Sequence, residues 1–148
     1  MKHGSLPPAE ETVPAEVAAV LKQAEADFAS ADEDTRWQAA IAIGVFSEAY
    51  PEAIWPLVEK WGSNADEGTR AAVATCVLEH VLEAHFQPFF TRTAALINHG
   101  NAFFADTFCG CWKLGEATEG ENSAKFDRLK NKARRLRDKV GLTPKSAF

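Results

Sequence analysis

The sequence has few cysteines, no long apolar segment, and basic residues concentrated at one end. Three cysteines (Cys76, Cys109 and Cys111) are too few for a disulfide framework, and we expect buried free thiols in a reducing compartment. No apolar run approaches the ~18 residues that a membrane span needs, and no apolar segment near the N-terminus marks a secretory signal. These absences predict a cytoplasmic protein without a membrane span.

Catalytic signatures are also scarce. The sequence contains no glycine-rich phosphate loop, no Gly-x-Ser-x-Gly elbow and no His-Glu-x-x-His pair. Glu79 and Glu83 are four residues apart and suit acid–base chemistry only if buried, whereas a solvated helix face explains them more simply. Cys76 and His80 have a spacing that can present two metal ligands, but no zinc pattern surrounds them. The sequence therefore favours a non-catalytic protein with no metal or cofactor.

Charge is distributed unevenly along the chain. Residues 125–148 contain nine Lys or Arg and two Asp, a charge of +7, whereas the other residues sum to −12. An acidic body suits a basic segment of a partner protein. The basic end, which includes Arg134 and Arg135, suits phosphate or a docking protein, unless it only pairs with the acidic body.

A short phrase occurs twice in the chain. Residues 30–36 (SADEDTR) return as residues 64–70 (NADEGTR), 34 residues later. A period of this length is typical of stacked helical hairpins. Ser30 and Asn64 are the predicted N-caps, because each has a Glu three residues later and an alanine-rich stretch beyond it.

Each alanine-rich stretch is followed by an apolar stretch with a proline near its start. We interpret this second stretch as the second helix of a hairpin. Aligning Pro56 with Pro88 makes the second copy two residues shorter than the first. A degenerate third unit begins at Asn101. A last helix is predicted from Ser123 to Val140, with one apolar face and one basic face.

These elements define the expected boundaries of the domain. Residues 1–13 are predicted to be a flexible arm, residues 14–141 a single domain, and residues 142–148 a tail. A first helix is expected from Pro14 to about Ala29. The tryptophans are predicted to lie mostly in the core, with Trp37 or Trp55 the best suited to an exposed position.

The stretch from Asp32 to Gly44, with its sequel from Tyr50 to Leu57, resembles a HEAT repeat. HEAT units are helical hairpins with an acidic turn, an Arg, an alanine-rich first helix, and a Pro near the start of the second helix. The resemblance implies an all-α fold, an αα superhelix of about three hairpins with a concave face for a partner. It also implies a set of structural residues that tie adjacent turns together: Asp32, Arg36, Asp66 and Arg70.

The expected function is that of a non-catalytic protein-binding module, an adaptor or scaffold. Its concave face would be lined by the second helices, with candidate contacts at Glu59, Lys60, Arg92 and Asn98. One alternative is a nucleic-acid-binding or HEAT-like DNA repair protein that uses the basic C-terminal helix, since residues 64–74 loosely resemble HEAT-like DNA glycosylases. Another is a small inhibitor or immunity-type protein that binds one enzyme.

Overall fold

The structure, a computed structural model, describes residues 12–142, and within that range it is all-α. Seven helices follow one another without a strand. The simple helices are α1 (Ala15–Phe28), α2 (Glu33–Gly44), α3 (Pro51–Gly62), α5 (Phe86–Asn98), α6 (Ala102–Cys109) and α7 (Glu121–Lys139). The helix α4 is continuous but composite, with α-helical segments Glu67–Val73 and Glu79–Ala84 on either side of a π-helical turn, Ala74–Leu78. The predicted arm and tail lie almost wholly outside the described residues.

The helices α2, α4 and α6 begin with the same local structure. Asp32, Asp66 and Asn101 are the N-caps, and each side chain accepts a hydrogen bond from the backbone N–H three residues later. The prediction of caps at Ser30 and Asn64 is therefore wrong. Their side chains instead accept from the backbone N–H groups of the two aspartates, so the first residue of the phrase shapes the turn that precedes each helix.

The arginines of the repeated phrase each contact the turn before their own helix and a carboxylate of the next unit. Arg36 donates to the carbonyl of Ser30 at 3.0 Å and lies 3.5 Å from Asp66 of the next copy. Arg70 donates to the carbonyl of Asn64 at 3.0 Å and lies 2.9 Å from Asp106 in α6. Each arginine thus joins its own turn to the following helical unit.

The two arginines differ in environment. Arg70 is 4% exposed and pairs with a carboxylate that is 13% exposed, whereas the corresponding values are 16% and 48% for Arg36 and Asp66. The buried Nε of Arg36 has no hydrogen-bond partner in the described structure. The contact between Arg70 and Asp106 is therefore better shielded from water than the contact between Arg36 and Asp66.

The second copy of the repeat contains one more residue than the first. The caps Asp32 and Asp66 are 34 residues apart, but Tyr50 and His85, which precede α3 and α5 with nearly the same backbone angles, are 35 apart. The extra residue lies within α4, where the π turn widens the helix by one residue. The alignment of Pro56 with Pro88 is therefore wrong, because the second copy is longer rather than shorter.

The core is continuous from α1 to α7. Rings meet across neighbouring elements, for example Phe28 with Trp61 at 5.3 Å between centroids and Phe108 with Phe126 at 4.9 Å. The helix α4 occupies the middle of the fold, in contact with both α2 and α6. Each buried aromatic ring removes a large apolar surface from water, so these contacts join the elements of the core.

Three details of the sequence prediction are corrected by this packing. Trp112 is 72% exposed, whereas Trp55 is 6% exposed and belongs to the core. Val140 is 53% exposed and does not continue the apolar face of α7. The helix α7 begins at Glu121 rather than Ser123, because Gly120 with φ +50° turns the chain into it.

None of the helices between residues 12 and 142 combines the length and apolar character that crossing a bilayer requires.

Candidate functional site

A broad groove lies at the C-terminal end of α2. It encloses about 850 Å³ between the end of α2, the middle of α4 and the single 3₁₀ turn Gly115–Thr118. We call it the acidic groove. Its lining residues are Ile41, Gly44, Val45, Ser47, Glu48, Thr75, Cys76, His80, Glu83, Ala84, Gly115, Glu116 and Glu119.

A close approach of two helices forms one wall of the acidic groove. A Cβ atom placed on Gly44 would lie 2.1 Å from the carbonyl oxygen of Cys76, so only glycine allows α2 to sit this close to the π turn. Beside this contact, Ile41 and Val45 project from the end of α2 and are 48% and 72% exposed. The groove thus carries two large apolar side chains that the fold leaves in water.

The opposite wall comes from the 3₁₀ turn. A Cβ on Gly115, which has φ +52°, would lie 2.5 Å from Cγ of Glu83, so glycine brings this turn against α4. Glu116 Oε1 accepts the backbone N–H of Phe86 at 2.9 Å and so caps α5, whereas Glu119 is exposed. The tight approach therefore places two further glutamates beside Glu83.

Four carboxylates line the acidic groove. Glu48, Glu83, Glu116 and Glu119 contribute carboxylates, and no Lys or Arg is among the lining residues. Such a cluster of like charges attracts cations and disfavours anions, and the attraction is weakened by water around Glu48 and Glu119, which are exposed. A phosphate or a nucleic acid backbone is a poor fit here.

His80 lies between two carboxylates in this wall. Its Nδ1 is 3.0 Å from Glu83 Oε1, and its Nε2 is 3.7 Å from Glu79 Oε2. Glu79 is 8% exposed, and its Oε1 accepts the backbone N–H of Trp112 at 2.8 Å. The expectation that Glu79 and Glu83 share a solvated face is therefore wrong for Glu79, whose carboxylate anchors the segment after α6.

The cysteines of this region are not activated nucleophiles. Burial raises the pKa of the Cys76 thiol, and Glu79 opposes its ionisation further. Burial likewise raises the pKa of Cys111 well above its usual value. All three cysteines are unpaired, and residues 12–142 contain no group of three or more His, Cys, Asp or Glu side chains placed to hold a metal ion.

The residues predicted to contact a partner lie elsewhere. Lys60 Nζ is 2.6 Å from Glu25, and Asn98 Oδ1 accepts from Lys132. Arg92 forms a two-pronged contact with Glu52, at 2.9 and 2.7 Å, and covers the ring of Phe89. The remaining three predicted residues, Glu59, Arg134 and Arg135, are exposed. No predicted contact residue lines the acidic groove.

Sequence reasoning missed the acidic groove because its parts are far apart in the chain. Gly44 and Gly115 are the signals that could have pointed to it, since a glycine inside an otherwise alanine-rich helix indicates a close approach. The partner of that approach, the carbonyl of Cys76, cannot be read from the sequence. The exposure of Ile41 and Val45 also depends on where α2 stops.

No family model, curated protein or solved structure matches this chain.

Proposed function

We propose that the chain is a non-catalytic protein-binding module that holds a basic segment of a partner protein in the acidic groove. The observation that carries this proposal is the pairing of four glutamates with two exposed apolar side chains, Ile41 and Val45, in one concavity. Glutamates select a cationic segment, and an apolar anchor beside them supplies affinity that charge alone does not. A segment with Lys or Arg on both sides of an apolar residue fits both features.

We infer a HEAT-like array as the architecture behind this surface. The support is the recurrence of similar contacts in successive units: three helices with the same capping contact, and two arginines that each donate to the backbone carbonyl six residues earlier. A short αα superhelix of about three hairpins accounts for this recurrence. A cytoplasmic location belongs to the same proposal and is supported by the three unpaired cysteines.

This binding surface lies on α2 and α4, the first helices of the two repeated units, whereas the sequence predicted a surface on the second helices. Two of the predicted contacts, Lys60 and Arg92, already have carboxylate partners within the chain. The acidic groove instead uses the end of α2 and the middle of α4. An enzyme that presents a basic segment is one partner of the required kind, so the inhibitor or immunity-type function uses the same surface.

Selection from a random peptide display library on the immobilised protein tests the proposed chemistry. We expect the enriched peptides to carry Lys or Arg around an apolar residue. The matched pair of variants is Glu48→Lys with Glu119→Lys in the groove, and Glu16→Lys with Glu59→Lys outside it. All four side chains are exposed, and both double variants change the net charge equally.

Fluorescence polarisation with an enriched peptide then compares the two double variants. The groove variant should weaken binding about tenfold or more, equivalent to ~1.4 kcal/mol, and the outside variant should have a much smaller effect. Val45→Asp should weaken binding as well, because it removes the apolar anchor. Equal effects of the two double variants, or enrichment of acidic peptides, would contradict the proposal.

A further inference from the structure

Trp112 is the most exposed large aromatic residue between residues 12 and 142, at 72%. Its backbone is nevertheless held firmly, since its N–H donates to the buried carboxylate of Glu79 at 2.8 Å. The indole therefore stands in water on a fixed support. An exposed tryptophan on an ordered backbone offers a planar surface at little cost in conformational entropy.

A concavity of about 460 Å³ adjoins this indole, and three cationic side chains line it. Lys113 is neutralised there by Asp127, with Nζ 2.9 Å from Oδ1. Lys130 and Arg134 differ, because the first donates to the carbonyl of Cys111 and the second to the amide oxygen of Asn131. These acceptors carry no charge, so two positive charges beside the indole remain uncompensated by the hydrogen bonds that orient them.

Positive charge continues along α7 beyond this concavity. On the side of the helix that faces α5, a second, smaller concavity of about 230 Å³ is lined by Lys125, Arg128 and Lys132, together with Phe90. The acidic groove shares no lining residue with either of these surfaces. Eight of the sixteen Lys and Arg residues thus lie on α7, and the glutamates of the acidic groove lie on other elements.

We propose that Trp112, Lys130 and Arg134 form a binding surface for single-stranded nucleic acid. A base stacks on the indole of Trp112, and the neighbouring phosphates lie against Lys130 and Arg134. Stacking on an aromatic ring combined with cations that follow the backbone is the usual chemistry of sequence-tolerant single-strand binding. An acidic peptide satisfies the two cations but gains no stacking partner, so the exposed indole favours a nucleic acid.

Polarisation of a labelled oligothymidylate at low salt measures this binding directly. The wild-type protein should bind, and the logarithm of its affinity should fall linearly with the logarithm of salt concentration. Trp112→Ala should weaken binding about tenfold, within the range that stacking of one base supplies. Because Trp112 is exposed, we expect this variant to fold, and its circular dichroism melting curve serves as the check.

Arg134→Glu and Arg135→Glu form a matched pair, since both residues are exposed on α7 and only Arg134 lines the concavity. We expect Arg134→Glu to abolish most of the binding and Arg135→Glu to reduce it far less. Quenching of tryptophan emission by the unlabelled oligothymidylate should accompany binding and disappear in Trp112→Phe.

Three results would overturn this proposal. The first is no binding of oligothymidylate at low salt. The second is binding that neither Trp112→Ala nor Arg134→Glu weakens. The third is poly-glutamate that binds more tightly than oligothymidylate and competes with it, which would assign the surface to an acidic protein segment.

Discussion

Replacing Gly44 with alanine tests the contact that forms the wall of the acidic groove. The added Cβ would lie 2.1 Å from the carbonyl oxygen of Cys76 and 3.2 Å from the carbonyl carbon. Ordinary carbon contacts need about 3.5 Å, so α2 and the π turn of α4 must separate by roughly 1 Å or more. A carbonyl within a helix cannot rotate away as a flexible side chain can.

The expected cost follows from two opposing effects. Overpacking of a well-packed contact costs about 1–3 kcal/mol. Alanine recovers up to ~1 kcal/mol of this because it favours the helix more than glycine does. We therefore expect Gly44→Ala to lower the free energy of unfolding by about 1–2 kcal/mol, and by more if the two helices cannot separate.

Gly68→Ala is the matched control. Gly68 also lies in a helix, at the start of α4, but its added Cβ would meet side-chain atoms rather than backbone, namely Oε2 of Glu33 at 3.0 Å and the capping Oδ2 of Asp66 at 3.3 Å. The contact with Asp66 needs a shift of only a few tenths of an ångström. Glu33 is exposed and can move aside. We expect this variant to be neutral or more stable by up to ~1 kcal/mol, since alanine restricts the unfolded chain.

Urea unfolding of the three proteins, followed by helical circular dichroism, measures both effects. A loss of 1–2 kcal/mol corresponds to a fall in Tm of several degrees for a chain of this size. A Gly44→Ala variant as stable as the wild type, alongside a Gly68→Ala variant that behaves as expected, would refute the close contact between α2 and the π turn.

The arginine ties and the caps lead to two further predictions. Arg70→Ala should cost about 2 kcal/mol or more in urea unfolding, because it removes the nearer cation, at 2.9 Å, from the shielded carboxylate of Asp106 and leaves only Arg137, at 3.8 Å. Arg36→Ala should cost no more than about 1 kcal/mol, because its partner Asp66 is 48% exposed. Equal losses would contradict the difference in burial. The backbone N–H of Thr69 lowers the pKa of Asp66 below its usual 3.8, so this carboxylate stabilises the fold fully above that pH and loses its contribution as the pH falls through the lower folded value. Asp66→Asn keeps a capping side chain that does not titrate. Its deficit in unfolding free energy relative to the wild type should therefore shrink as the pH falls below 3.8. A deficit that stays constant would argue against the cap as the origin of the pKa shift.

The helical organisation was accessible from the sequence because it rests on local chemistry. The all-α fold within residues 12–142 is confirmed, and Asn101 does begin the third unit as its cap. The caps of the first two units were misplaced by two residues, since Ser30 and Asp32 are both good capping residues. Only the structure shows which of them accepts from the third N–H of the helix.

The acidic groove was not accessible in the same way. Glu48, Glu83 and Glu119 are separated by tens of residues, and their convergence depends on the register of α2 against α4. That register in turn depends on one inserted residue, which has no compositional signature. The exposure of Trp112 was missed for a similar reason, because the buried Glu79 that fixes its backbone lies 33 residues earlier in the chain.

The π turn of α4 makes the two copies of the repeat unequal in length. Equivalent residues of the two copies are 34 positions apart before this turn and 35 positions apart after it. The extra residue therefore lies within residues 74–78. Duplicating residues 32–65 would lengthen the array with an uninterrupted period. Duplicating residues 66–100 would instead reproduce the widened turn, and with it the carbonyl of Cys76 that requires a glycine opposite. The second copy has Leu78 or Glu79 at the position that corresponds to Gly44, so an added unit would repeat the groove wall only if a glycine were also introduced there.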